Sequence, residues 1–239
     1  MAGSLLYARD HRINDNITIK IPTVGEVLED EDGYYDAVCS VVATPYEMMV
    51  KLDDIGIDFT KITEFELFCL MFNGLKEIDT SRVFGDLDLS KYHTAIDKKT
   101  SKTVLWNPEN DSVIDWCIHG EIAAFLRRIL FMEKDDKKPG NEEARKYMIE
   151  RARKKMKRRQ RDAKPEDFSR IESALVALVN TSEFHYTYET VRELTVYQFF
   201  ASLRQIAHKI KFDNTMIGLY AGTVKLDDLR MEDRSWIKN

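Results

Sequence analysis

Cys117 and His119 are the residues that come nearest to a metal-binding pair in this sequence. They lie two positions apart in a segment with a helical apolar pattern, so their side chains point to diverging sides of a helix. A structural zinc site needs four ligands, and no second pair accompanies these two. We interpret Cys117 as a reduced core thiol and His119 as a partly exposed side chain. We expect no metal and no cofactor.

Motifs for phosphate binding and for hydrolysis are absent from the sequence. It contains no G-x-x-x-x-G-K-[ST], no G-x-G-x-x-G, no H-E-x-x-H and no G-x-S-x-G. The remaining histidines occur singly, at His11, His93, His185 and His208. We therefore assign no catalytic residue and expect a protein that is not an enzyme.

A basic segment over residues 145–161 is the strongest charge signal. It has ten Lys and Arg residues against Glu150 alone, so it carries +9, whereas the whole chain carries −5 and the other residues therefore −14. Such a helix can neutralise nucleic-acid phosphates in a salt-dependent way, or it can contact an acidic protein. The candidate electrostatic contacts are Arg151, Arg153, Lys154, Lys155, Lys157, Arg158, Arg159 and Arg161.

Few apolar residues accompany these charges. Tyr147, Met148, Ala152 and Met156 form only a thin stripe, so we expect the basic helix to project from the body of the protein. Few aromatic residues are interleaved to stack on bases, which favours a solvated helix or an acidic protein partner over nucleic acid.

Two aromatic segments suit either a core or an interface. Residues 65–72 are apolar on nearly all sides, and a second aromatic group spans residues 184–220. Core packing explains most of these residues, and an interface with an apolar centre would use the rest. The candidate partner-binding residues are Phe65, Phe68, Phe72, Tyr197 and Phe200. The acidic group at residues 29–32 is interpreted as a solvated turn, with a docking site for a basic partner as the alternative.

The elements that carry these residues are mostly helical. Alternation over Ile17–Ile21 predicts a short strand, and residues 92–106 predict a β-hairpin, followed by a turn over residues 107–111. Capping signals at Thr44, Thr63 and Thr195 predict three helix starts. The predicted helices cover residues 34–42, 44–54, 63–74, 112–132, 141–161, 166–180, 195–212 and 215–220.

These elements predict an α+β fold that is predominantly α-helical. We divide the chain into a mixed α+β N-terminal domain (1–134), a linker (135–140), a basic helix (141–164) and a helical C-terminal region (165–239). No apolar run approaches the roughly 20 residues that span a bilayer, and residues 1–15 do not form a signal peptide. We expect a cytoplasmic protein with no membrane partner, in which three widely spaced cysteines stay reduced.

Two segments resemble a known group of proteins. Residues 19–72 read "IKIPTVGEVLEDEDGYYDAVCSVVATPYEMMVKLDDIGIDFTKITEFELFCLMF", and residues 197–224 read "YQFFASLRQIAHKIKFDNTMIGLYAGTV". Both resemble proteins encoded in the tail-assembly modules of tailed bacteriophages, particularly those of Gram-positive hosts. The two segments cover less than half of the chain and include neither the basic helix nor the hairpin.

The resemblance implies a nonenzymatic role in making a phage tail or baseplate, as an assembly chaperone or as a structural part. Its partners would be phage tail or baseplate proteins, with a homo-oligomer as a further possibility. It would act in the host cytoplasm during assembly or in the virion tail, and it carries over no catalytic residue. The alternative from another class is a nucleic-acid-binding accessory protein that uses residues 145–161.

Overall fold

The computed structural model describes residues 4–98, 100–162 and 169–237. These residues form nine α-helices and two small antiparallel sheets, which confirms a predominantly helical α+β fold. The strands are β1 (Asp10–Arg12), β2 (Thr18–Lys20), β3 (His93–Ile96), β4 (Thr103–Asn107) and β5 (Ser112–Ile114). The helices are α1 (Val24–Leu28), α2 (Glu31–Val42), α3 (Met49–Asp54), α4 (Glu64–Leu75), α5 (Ser81–Phe84), α6 (Trp116–Ile129), α7 (Glu142–Asp162), α8 (Arg170–Val179) and α9 (Val196–Tyr220).

Side chains at the helix starts account for much of this arrangement. The boxes predicted at Thr63 and Thr195 are present, with each threonine accepting from the backbone N–H three residues later. At Thr44 the same bonds form with Glu47, but the next residues make turns and α3 begins only at Met49, so the predicted helix start was four residues early. The predicted start of a helix at Glu166 lies outside the described residues, and Ser169 caps α8.

The predicted hairpin is confirmed, but it belongs to a larger sheet. The strand order is β3-β4-β5, and Trp106 pairs with both His93 and Val113. The sequence predicts a helix directly after residue 111, and this prediction is wrong. Residues 112–114 continue the sheet after a tight turn at Asp111 (φ 54°), and α6 begins at Trp116, where Asp115 caps it.

One large hydrophobic core joins the N-terminal and C-terminal parts of the chain. It contains Ile19 of β2, Phe68 of α4, Leu126 of α6 and Phe199 of α9. A smaller cluster lies beside it, where Leu52 and Phe59 pack with Ile149 of α7. The start of α9 is therefore fixed by burial on the N-terminal half.

Backbone pairing strengthens this junction. The amide of Val24 donates to Leu194 O (2.8 Å) and the amide of Val196 donates to Pro22 O (2.9 Å), on either side of a bridge between Thr23 and Thr195. A carboxylate oxygen of Glu31 accepts from the amide of Ile171 (3.1 Å), so a residue of α2 satisfies an N–H group in the first turn of α8.

Helix α9 is longer than the sequence indicated. The predicted break between Phe212 and Thr215 is wrong, because one helix runs for 25 residues through Asp213 and Asn214. Lys209 pairs with Asp213 at a separation of four residues, and the Thr215 hydroxyl donates to Lys211 O, so the polar side chains are accommodated along the helix surface. Gly222, with φ 72°, ends the helix.

Candidate functional site

The first half of α7 packs against the body instead of projecting from it. Ile149, which was absent from the predicted apolar stripe, is buried beside Met148 and Ala152 in the smaller cluster. Arg153 Nη2 donates to Asp53 (2.9 Å) and Asp54 (2.7 Å) of α3. The expectation of a projecting helix was therefore wrong for this half.

The basic residues on the other side of α7 face solvent. At 100° per residue, seven of them lie within an arc of about 200° that is opposite Ile149 and Arg153. All seven are exposed. We call this set the cationic face, and it consists of Arg151, Lys154, Lys155, Lys157, Arg158, Arg159 and Arg161.

Beyond Ile206, α9 and the chain that follows it form a second surface, the distal arm (residues 207–237). The chain turns at Gly222 and returns along the helix, because the amides of Thr223 and Val224 both donate to Gly218 O. Further along, His208 Nε2 donates to Ser235 O (2.7 Å) and Lys211 pairs with Asp233 (2.5 Å). The returning segment therefore covers one side of α9.

The opposite side of the distal arm carries exposed apolar residues. Phe199, Leu203, Ile206, Ile210 and Ile217 share one face of α9 by helical spacing. Phe199 at the start of this face is fully buried, whereas 66% of Ile217 near its end is exposed and so is 86% of Tyr220 beside it. The face that holds α9 on the core therefore continues beyond the core without a cover among the described residues.

The aromatic residues predicted to bind a partner do not form an open surface together. Phe65, Phe68 and Phe72 of α4 are buried in the main core. Tyr197 and Phe200 of α9 are half-buried, and the Tyr197 ring stacks on Phe131 with centroids 5.3 Å apart. Partner binding by these five residues remains a prediction. The described fold offers only the last two at its surface.

The expected burial of Cys117 and exposure of His119 are both wrong, but the expectation that their side chains point to diverging sides of a helix is confirmed. Cys117 is exposed and His119 is buried, on diverging sides of α6. Cys39 is also exposed and Cys69 is partly exposed, so the three free thiols are not all core residues. Burial lowers the pKa of His119 and outweighs the opposing effects of its hydrogen bond to Val41 O and of the Glu64 charge.

The acidic group at residues 29–32 is partly neutralised within the chain. In the turn, Arg82 pairs with Glu29 and Asp30, and Asp30 caps α2. The cation that neutralises part of this acidic group thus comes from the chain itself.

Strand β3 is an edge of its sheet, and 72% of Ile96 on it is exposed.

None of the helices in the described part of the chain has the length and apolar character needed to cross a membrane. Within the same residues, no group of three or more His, Cys, Asp or Glu side chains could hold a metal ion.

The C-terminal third of the chain is similar to a known protein family. Residues 161–239, about one third of the chain, match a family model described as the YomV second domain. This family is phage-derived. No curated protein and no solved structure matches the chain. The match contains the end of α7, α8, the whole loop before α9, α9 itself and the distal arm, whereas residues 19–72 lie outside it.

Proposed function

We propose that this chain is a phage protein that assists in assembling the tail or baseplate by binding other proteins, and that it catalyses no reaction. The match of residues 161–239 to a phage-derived family supports the phage origin. The resemblance of residues 197–224 to tail-assembly proteins lies inside that match and supports the finer role. In this proposal the protein acts as an assembly chaperone or as a structural component, in the host cytoplasm or in the virion tail.

The exposed apolar face of the distal arm is the observation that carries the binding role. Ile210, Ile217 and Tyr220 are all exposed, although they continue the face that α9 buries at Phe199. Contiguous exposed apolar surface on a folded protein is typical of an interaction site. An amphipathic helix or apolar segment of a tail or baseplate protein, or a further copy of the chain, would remove this surface from water.

The returning segment makes this face a defined surface. His208 and Lys211 contact Ser235 and Asp233 on the covered side, so the returning segment packs on the side of α9 away from Ile217. Each apolar side chain that a partner covers would contribute about 1.5–3 kcal/mol. A contact of this kind should withstand moderate salt, because it does not depend on charge.

A tagged purification from cells that express the surrounding phage genes tests the proposal. The chain should retain tail or baseplate proteins through a wash at high salt, as identified by mass spectrometry. The double variant Ile217→Asp and Tyr220→Asp should lose them. Ile55→Asp with Tyr7→Asp is the matched control, because 65% of Ile55 and 85% of Tyr7 are exposed away from the distal arm.

Three outcomes would contradict the proposal. If the unaltered chain retains no phage structural protein at any salt concentration, the assembly role is wrong. If both double variants retain the same partners as the unaltered chain, the partners bind elsewhere and the distal arm is not the site. Turnover of a substrate that follows the purified chain through every column would overturn its nonenzymatic character.

A further inference from the structure

The basic residues of α7 divide into two that contact the body of the protein and a larger set that points away from it. Arg145 and Arg153 point to the body, where Arg145 pairs with Asp58 and Arg153 with Asp53 and Asp54. The buried side chain of Ile149 lies between them on the same side of the helix. These contacts fix the orientation of the helix, so the cationic face has a defined direction away from the body.

Most of the cationic face lacks a neutralising partner within the described part of the chain. Arg158 and Arg161 both pair with Asp162 at the end of the helix. Arg151, Lys154, Lys155, Lys157 and Arg159 have no ion pair with any residue of the described ranges. Five like charges therefore lie over about 12 Å of helix and repel one another until an anionic ligand binds.

The sequence alone favours a solvated helix or an acidic protein partner, but the arrangement of this face in the structure favours a nucleic acid. Protein interfaces bury an apolar centre and are poor in lysine, whereas three of the seven residues on this face are lysines. Its apolar neighbour is Tyr147, which is 64% exposed and lies on the same side as Arg151, Lys154 and Arg158. A ligand held by charge alone, with an aromatic ring available at one end, matches a phosphate backbone.

The rest of the chain confines such binding to α7. Outside residues 145–161 the protein carries −14, which repels a polyanion from most of its surface. We infer that the cationic face of α7 binds the phosphate backbone of nucleic acid without sequence preference. This binding is separate from the assembly role, because it uses α7 and not the distal arm.

Fluorescence anisotropy with the full chain tests this inference. The probes are two unrelated 20-base-pair DNA duplexes, a 20-nucleotide single strand and an RNA duplex of the same length. Affinities for the two DNA duplexes should agree within about threefold, because backbone contacts carry no sequence information. Neutralising about five phosphates should weaken binding about 500-fold between 50 and 200 mM salt. The single strand and the RNA identify which backbone fits best.

The variant for this test replaces Lys154, Lys155, Arg158 and Arg159 with glutamine. It should weaken DNA binding at least about 50-fold at 50 mM salt and flatten the salt dependence. The matched control replaces four exposed basic residues on other parts of the chain, Lys98, Arg128, Arg192 and Lys225, with glutamine. It should change the affinity less than about threefold. Circular dichroism checks that both variants keep their helices.

Three results would overturn the inference. The first is no binding to any probe at 50 mM salt and 10 µM protein, roughly the non-specific range. The second is an equal loss in the variant and in the control. The third is displacement of the DNA by poly-glutamate at lower charge concentration than by unlabelled DNA, which would assign the face to an acidic protein partner.

Discussion

His119 of α6 stacks on Phe68 of α4, with ring centroids 4.5 Å apart and planes inclined by 25°. The His119 Nε2 atom lies 2.9 Å from Val41 O, and because a carbonyl oxygen only accepts, Nε2 must carry the proton. The imidazole thus lies between an aromatic ring and the end of α2, with its Nε2–H group on Val41 O. This arrangement joins three helices through one buried polar side chain.

The buried imidazole should make stability depend on pH near neutrality. Burial lowers the pKa of His119 below its ordinary value of 6.5, so the unfolded chain binds this proton more readily than the folded chain. The free energy of unfolding should therefore fall as the pH drops through 6.5, by at most about 1.4 kcal/mol per pH unit from this residue. Urea denaturation between pH 7.5 and 5.5 measures it.

The variant His119→Gln separates this residue from other groups that titrate in acid. Glutamine can still donate to Val41 O but cannot take up a proton, so the free energy of unfolding of the variant should depend less on pH. The variant should also be less stable at pH 7.5, because it loses the ring that stacks on Phe68. Glu64, whose pKa is lowered by Lys134 and Arg127 against the effect of burial, titrates below this range. An unchanged slope in the variant would show that His119 does not cause the pH dependence.

Truncation should destabilise the fold strongly at Phe199 and hardly at all at Ile217, although the two residues occupy one face of α9. Phe199 is fully buried in the main core, and Phe199→Ala should cost about 3–5 kcal/mol in the free energy of unfolding. Ile217→Ala should change it by less than about 0.5 kcal/mol, because most of that side chain is already in water. Denaturant titration of the isolated chain measures both. A large cost at Ile217 would mean that the distal arm is buried in solution.

Local signals predicted the elements well, and long-range contacts explain the errors. Thr63 and Thr195 cap helices through local hydrogen bonds. Each threonine hydroxyl accepts from the amide three residues later, and the carboxylate or carboxamide of that later residue accepts from the threonine amide. The exposed residues of β1, by contrast, have no apolar alternation, and they form a strand because β2 pairs with them. Strand β5 has only three residues and likewise depends on its neighbour β4.

In the candidate sites, too, local sequence signals predict some features and long-range contacts determine the others. Composition alone located the basic residues of α7, but their separation into anchoring and outward sets depends on Asp53 and Asp54, about a hundred residues earlier. The exposed face of the distal arm was missed because Ile210 and Ile217 have the spacing of core residues. Helical periodicity reports that a face is apolar, and it does not report where the covering layer ends.

Docking of α7 should depend more on Ile149 than on Arg153. Ile149→Ala removes buried apolar volume and should cost about 2–4 kcal/mol in the stability of the α7 contact. Arg153→Ala breaks two ion pairs whose side chains are 37–52% exposed, which should cost less than about 1 kcal/mol because solvent screens them. Hydrogen exchange of the α7 amides measures both effects.

The order of these two variants is the informative result. Arg151→Ala serves as a control, since this residue lies on the cationic face and has no described ion pair. If Arg153→Ala accelerates exchange as much as Ile149→Ala does, the ion pairs and not the apolar contact hold the helix, and high salt should then release it.

Gly218 should control how the returning segment is held on α9. A Cβ atom built at Gly218 would lie 2.9 Å from Val224 Cγ2, and Gly218 O accepts from the amides of Thr223 and Val224. The larger side chain of Gly218→Leu should therefore push the segment after Gly222 away from the helix. Hydrogen exchange at residues 223–237 should rise, while exchange in α6 and in the first half of α9 stays the same, because their burial does not depend on this contact. Exchange that rises throughout α9 would instead show that the returning segment stabilises the whole helix.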